Sequence, residues 1–296
     1  MNNKGFGLIE LLISMVILLL ILGAAYQTFT NLLTGFKGES KSIESLLDKA
    51  TALELLRLDI EHAGYGIADD TTDNIITYDS AHKILTLRST MNNTDKSTIG
   101  YALVDCTNGT FNIVKDERVD PDNPRLVFIL PENKKFVANK NEETCPGNNF
   151  YLVFPYEDNA CGCTTQKCSL IQYYLSTTQS LDKCNPNTFN LLRKVNNSSG
   201  MPILNCVADF QVRFELDLNG DGAVDTITTT LPTSNQDLRK ELKTVRIYLL
   251  AQEGQKDPKF NFNANTTIDN VHLQLPSDYV HYRWKVIKLV VTPLNL

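Results

Sequence analysis

The fold is decided near the amino terminus by the stretch Lys4-Gly5-Phe6-Gly7-Leu8-Ile9-Glu10-Leu11-Leu12, which leads into an apolar run that ends at Ala25. Glu10 is the only formally charged side chain between residues 6 and 36. As a helix, residues 6–25 would span about 30 Å, which is the thickness of a bilayer core. The run therefore predicts one membrane helix over these residues. The lysine before it predicts a cytoplasmic amino terminus.

A cleaved secretory signal is the alternative interpretation of this run, because Gly23-Ala24-Ala25 supplies small residues after the apolar stretch. Glu10 argues against a signal peptide. A carboxylate inside an apolar membrane helix costs about 2.5 to 3.5 kcal/mol, so its presence indicates a function and a partner group.

The helix is predicted to continue beyond the membrane, to Ala63. Apolar side chains recur there at spacings of three and four and charged side chains occupy other faces, a pattern typical of an amphipathic helix. The apolar set is Ile43, Leu46, Leu47, Ala50, Leu53, Leu56, Ile60 and Ala63. Gly64-Tyr65-Gly66 supplies a stop. We expect this stripe to pack onto a globular domain formed by residues 64–296.

The composition of the whole chain excludes several classes. It has 296 residues, 42% of them hydrophobic, and a formal net charge of -6. The apolar content excludes wholesale disorder, and the polar remainder beyond the first segment excludes a protein with several membrane spans. The acidic balance disfavours general nucleic-acid binding, which relies on clustered Lys and Arg.

Beyond Gly66, short runs rich in β-branched and aromatic residues alternate with Asn, Asp, Gly and Ser, which predicts an α+β fold with an antiparallel sheet. A short helix is expected at residues 234–242. The predicted strands are 74–78, 83–88, 125–130, 150–154, 170–175, 189–195, 206–216, 224–230, 244–251 and 282–292. Residues of about 94–202 are interpreted as a loop-rich insertion pinned by disulfides.

Seven cysteines lie in this middle part of the chain, namely Cys106, Cys145, Cys161, Cys163, Cys168, Cys184 and Cys206. Clustered cysteines in a loop-rich region are typical of disulfides formed in the periplasm or outside the cell. Zinc is the rival interpretation, although paired CxxC knuckles are absent. An odd count leaves one thiol outside any pair, and the sequence leaves the pairing open.

A candidate calcium loop begins at Asp217. Asp217, Asn219, Asp221 and Asp225 place oxygen side chains at loop positions 1, 3, 5 and 9, Gly222 stands at position 6, and Ala223 offers a carbonyl. Calcium takes six to eight oxygen ligands, and this spacing can direct alternate side chains to one point. Position 12 is Thr228 and not the glutamate of an EF-hand. An Asp/Gly-rich β-turn is the alternative interpretation.

The amino-terminal stretch resembles the processing site of type IV prepilins and type II secretion pseudopilins. The likeness rests on a short basic leader, Gly5, the aromatic Phe6 and Glu10 at the fifth mature position, followed by the long apolar helix. It implies that residues 1–5 are a leader, that a prepilin peptidase cuts after Gly5, and that Phe6 becomes the methylated amino terminus. It also implies that Glu10 pairs with the Phe6 amine of a neighbouring subunit.

Three further stretches resemble the PilW-like minor pilins. They are Leu56–Gly66 at the end of the helix, Val207–Phe214 as a central strand, and Val245–Leu250 with Tyr282–Val286 as last strands. The resemblance implies a type IV pilin-like fold, with a long amino-terminal helix packed on an antiparallel sheet. The final Pro293-Leu294-Asn295-Leu296 departs from the Arg-Asn ending expected of that family.

The implied function is that of a non-enzymatic minor pilin that primes or caps a type IV pilus and so serves adhesion and motility. Its implied partners are other minor pilins, the major pilin, the prepilin peptidase, the inner-membrane assembly platform and a large tip adhesin. The protein would cross the inner membrane once, with a periplasmic domain, and then move to the pilus and cell surface. A secretion pseudopilin and a tip adhesin or DNA receptor are the alternatives. The sequence contains no GxSxG, Walker A, HExxH or GxGxxG motif that would favour an enzyme.

Overall fold

The computed structural model describes residues 7–67, 69, 74–90, 101–117, 126–130, 135–139, 145, 147–155, 169–178 and 181–296. Side chains at position 10 and at 34–48, among others, lie outside this description. The chain divides into two units, residues 1–47 and residues 48–296, which are treated separately below.

A single helix, α1, runs from Leu8 to Glu61. Its segment Leu11–Leu33 has a mean hydropathy of 2.2 with none of it buried, so by length and composition it can cross a membrane. Within the second unit, Ala52, Leu56 and Ile60 are buried at a spacing of four residues, as the amphipathic pattern predicts. The helix ends before Gly64, whose φ of +83° a residue with a Cβ rarely adopts.

The second unit is built on an eight-stranded antiparallel sheet in the order β1-β2-β8-β9-β10-β12-β15, with β11 paired to β10. Its strands are Ile76–Asp79 (β1), Ile84–Ser89 (β2), Ser169–Leu175 (β8), Phe189–Val195 (β9), Met201–Leu216 (β10), Thr226–Thr228 (β11), Leu242–Glu253 (β12) and Arg283–Val291 (β15). One face of this sheet meets α1 in the main core, where Phe210, Phe214 and Ile247 pack against Leu56 and Ile60.

A second antiparallel sheet lies between β2 and β8 in sequence, in the order β4-β3-β7-β5-β6. Its strands are Tyr101–Asp105 (β3), Asn112–Glu117 (β4), Leu126–Leu130 (β5), Lys135–Asn139 (β6) and Phe150–Pro155 (β7). It has a small core of its own, formed by Ala102, Val104, Cys106, Tyr151 and Val153. The expected loop-rich region is therefore largely a sheet, and the expectation of mostly loops over 94–202 was wrong. β8 and β9 also fall in that range, yet they belong to the main sheet.

The remaining elements cover the other face and one end of the main sheet. The hairpin Thr267–Ile268 (β13) and Val271–His272 (β14) packs with Trp284 and Tyr248 in a third cluster. The short helix predicted at residues 234–242 is confirmed as α2 (Asn235–Glu241). The Ser234 hydroxyl accepts the amide N–H of Asp237, an N-cap that satisfies one of the free donors at the helix start.

Candidate functional site

The predicted processing residues Gly5 and Phe6 lie outside the described residues. Glu10 lies in the first turns of α1, and its side chain is also outside the description. The structure therefore places the backbone of the predicted assembly residue on the helix and leaves its pairing with Phe6 as a prediction.

The described surface of α1 before residue 34 is apolar on every side. Leu8, Leu12, Val16, Leu20 and Leu32 are all more than half exposed, although they lie on different faces. The few polar side chains bond to their own helix: the hydroxyls of Ser14, Thr28 and Thr30 donate to backbone carbonyls at 2.9 Å. Because lipid cannot satisfy polar groups, such internal bonding suits a helix surrounded by lipid or by other apolar helices.

A buried polar cluster joins the second half of α1 to the sheet. Asp59 on α1 is 1% exposed. It accepts hydrogen bonds from Arg193 of β9, with Nε to Oδ2 at 2.6 Å, and from the Tyr173 hydroxyl of β8 at 2.5 Å. Burial and the neighbouring carboxylate of Asp59 raise the pKa of Tyr173 well above its ordinary value. Tyr173 therefore stays protonated and donates to Asp59 throughout the physiological pH range.

The carboxyl-terminal tail closes the far end of α1. The Leu294 amide donates to the carbonyl of Glu61 at 3.0 Å, and the side-chain amide of Asn295 donates to the same oxygen at 2.9 Å. The last carbonyls of a helix have no partner within the helix, so the tail supplies the missing donors.

Arg239 of α2 fastens the same region from the other side. Its Nη2 donates to the carbonyls of Gly64 and Ile67 at 3.0 and 2.7 Å, and its Nε donates to Asp69 at 2.6 Å. It also contacts the carbonyl of Asn295 in the tail. A planar guanidinium with five donors can join several acceptors at once, which fits its position between helix end and tail.

The loop 217–225 connects β10 to β11 and is closed by bonds between its own side chains and backbone. Asp217 accepts the amides of Gly220 and Gly222 at 2.7 and 2.9 Å. Asn219 accepts the amide of Asp221, and Asp221 that of Ala223. Asp225 accepts the amide of Leu218 at 2.7 Å. The alternate residues singled out by the sequence thus all turn an oxygen into the loop.

A cation from the protein already faces the first of these residues. The Lys243 ammonium lies 2.9 Å from Oδ2 of Asp217, and this contact lowers the pKa of that carboxyl. Within the described residues, no group of three or more His, Cys, Asp or Glu side chains could hold a metal ion. The three aspartates are therefore not gathered into one ligand group, and a calcium site here would rely also on Asn219 and backbone carbonyls.

Four of the seven cysteines form disulfides, Cys106 with Cys145 and Cys184 with Cys206. The first fastens the second sheet, and the second joins the loop before β9 to a bulged part of β10, where Cys206 has a φ of +56°. Cys161, Cys163 and Cys168 lie outside the described residues.

Sequence reasoning missed the polar cluster around Asp59 and the role of Arg239. One signal was available for Asp59, because it lies three residues after Leu56 and thus on the apolar stripe of α1. A charge on a buried stripe requires a partner. No signal identified the partner itself, since Arg193 and Tyr173 lie in separate strands more than 100 residues away along the chain.

Comparison with known proteins gives two family matches. Residues 1–26 match the prokaryotic N-terminal methylation motif, and residues 172–295 match the type IV pilus-assembly protein W family. A search of curated proteins finds no match. Among solved structures, a type IV-like pilin from Thermus thermophilus is similar over 84% of this chain and 95% of that one, with 9% identity and a TM-score of 0.40.

These matches lie on the two parts of the chain where the resemblances were stated. A prepilin methylation motif stands at the amino terminus, directly before the apolar helix, and a PilW domain covers β10, β12 and β15 of the main sheet.

Proposed function

We propose that this chain, a minor type IV pilin by its methylation motif and its PilW domain, joins other minor pilins in a complex that primes assembly of the pilus or caps it. One observation carries the proposal: a prepilin-type amino terminus and a PilW domain occur on the same chain, with a helix between them whose first part is apolar on every side. Such a helix can leave the bilayer for a bundle of similar helices without exposing new polar groups.

In the proposed fibre, Glu10 of this subunit pairs with the Phe6 amine of a neighbour. A lone carboxylate or a lone ammonium in an apolar bundle is costly, whereas a pair offsets much of that cost. The pair therefore favours one axial position of the subunit among its neighbours. Before assembly, the prepilin peptidase would cut after Gly5 and methylate Phe6.

The proposed pathway begins at the inner membrane, with one span and a periplasmic domain, and ends in the fibre or at its tip. The disulfides of the second unit suit that oxidising side of the membrane. The partners proposed on this basis are other minor pilins, the major pilin, the assembly platform and a large tip adhesin. The domain is proposed to act structurally and not as an enzyme.

The test is deletion of the gene, with surface pili and protein export measured in the same strain. Loss of most surface pili with normal export is expected. Loss of export with normal piliation would instead identify a type II secretion pseudopilin. Complementation with the wild-type gene controls for effects on neighbouring genes.

Calcium binding at the loop 217–225 is a second proposal. A carboxylate or amide oxygen that accepts one backbone N–H keeps a further lone pair for a cation. Asp217, Asn219, Asp221, Asp225 and the carbonyl of Ala223 would hold the ion. The ammonium of Lys243 would have to leave Asp217, because two cations cannot share that oxygen at close range. Bound calcium would stiffen the connection between β10 and β11.

A further inference from the structure

Two charged side chains lie on the face of α1 that packs against the main sheet. Lys49 is 6% exposed and Asp59 is 1% exposed, and they are separated by ten residues, or about 15 Å along the helix. The buried residues between them are apolar: Ala52 and Leu56. The docked face therefore has a positive end and a negative end around an aliphatic centre.

Each of these charges meets an opposite charge on a different strand. The ammonium of Lys49 lies 3.3 Å from Glu253 at the end of β12. Asp59 binds Arg193 of β9, whose side chain is 5% exposed, and the hydroxyl of Tyr173 on β8. Since β10 lies between β9 and β12, the two contacts hold the helix at two separate points across the sheet.

The aliphatic contacts specify this position poorly. Leu56 and Ile60 are of similar volume and four residues apart, so sliding α1 by four residues would put one in place of the other. Such a slip moves the helix by about 6 Å along its axis. It would bring Ala63 to the position of Asp59, which is also acceptable for apolar packing.

The tail does not read side chains either. Leu294 and Asn295 bind the backbone carbonyl of Glu61, a group that every residue of the helix has. A slip would, however, remove Asp59 from Arg193 and leave a buried guanidinium without its carboxylate. Breaking a buried pair in this way costs about 3 to 5 kcal/mol.

We propose that Lys49 and Asp59, with Glu253, Arg193 and Tyr173, set the register of α1 on the sheet, while the aliphatic side chains supply most of the free energy of docking. The register fixes how many residues of helix precede the docked stretch. A subunit in the wrong register would present a helix one turn too long or too short to its neighbours.

The test uses the full chain in detergent, in which Lys49→Met, Asp59→Leu, Tyr173→Phe and Arg193→Met are combined. Spin labels on ketone-bearing unnatural residues replace the exposed Thr51 and Lys240, so that all cysteines stay native, and the distance between them is measured by double electron–electron resonance. The control variant Glu54→Leu with Arg57→Met removes an exposed ion pair of the same helix.

The wild type and the control are expected to give one narrow distance. The fourfold variant is expected to keep its melting temperature within about 5 °C, since replacing a whole buried polar cluster by apolar groups is often neutral. It should also show a second distance that reflects a shift of about 6 Å along α1. A single narrow distance equal to that of the wild type would overturn the proposal.

A milder pair of variants covers failure of the fourfold variant to fold. Lys49→Glu places like charges at the β12 end and is expected to broaden the distance distribution. Adding Glu253→Lys restores opposite charges and should narrow it again. Equal distributions in the single and double variants would contradict the proposal.

Discussion

Replacement of Gly64 by alanine is expected to loosen the joint between α1 and the carboxyl-terminal tail. Gly64 has a φ of +83°, so any Cβ there costs about 1 to 2 kcal/mol in the backbone alone. The added Cβ would also lie 2.7 Å from Cδ2 of Leu296 and 3.1 Å from the carbonyl oxygen of Asn295. Neither distance is tolerated, so the tail must withdraw.

The expected loss follows from what the tail does. Withdrawal would break the bonds of Leu294 and Asn295 to Glu61 and the contact of Arg239 with Asn295. At about 1 kcal/mol for each bond, and with the backbone cost added, Gly64→Ala should lose about 3 to 5 kcal/mol of stability. Gly254→Ala is the matched control, because its φ is +71° and nothing lies within 4 Å of the added Cβ. It should lose about 1 to 2 kcal/mol.

The assay is urea unfolding followed by the fluorescence of Trp284, the only tryptophan of the chain. This side chain is 8% exposed in the third cluster of the sheet unit, so its emission should change when that unit unfolds. Equal losses for Gly64→Ala and Gly254→Ala would refute the account of the tail as a support of the helix end.

Three further predictions follow from other contacts. The pKa of Asp217 is lowered by Lys243, so the stabilising contribution of this pair is complete above the unfolded value and is lost as pH falls through the folded one; urea midpoints should therefore drop below about pH 4, and less so in Lys243→Met. By calorimetry, the wild type should release or absorb heat with calcium and Lys243→Met should bind it more tightly, whereas no heat in either protein would count against the calcium proposal. Glu10→Ala should reduce the amount of this protein in sheared pili while mass spectrometry still finds cleavage after Gly5; loss of cleavage would contradict the role in assembly.

The fold was predictable where the periodicity is long. The apolar run and the stripe of α1 extend over many turns, and β9, β10 and β12 carry sustained alternation or long aliphatic runs, so their positions were found to within a few residues. The second sheet was not found, because β3, β4 and β6 have only five or six residues each. Those of β4 and β6 include Asp, Asn, Lys and Glu, which are depleted in strands.

The candidate site divides in the same way. The prepilin stretch and the calcium loop are local patterns of about ten residues, so their residue types and spacing can be recognised directly in the sequence. The cluster at Asp59 and the joint at Arg239 depend on contacts between residues 114 to 175 positions apart. Only the folded sheet brings these residues together, and a single sequence carries no signal of which distant side chain will meet a buried charge.

The central claim is that this protein is a minor subunit located at a defined place in the pilus. Immunogold labelling of sheared pili tests it most directly, with an antibody raised against residues 181–296. We expect sparse gold confined to one end of each fibre and none in a strain lacking the gene. Gold spread evenly along the shaft, or protein found only in the membrane fraction while pili remain unlabelled, would contradict the claim.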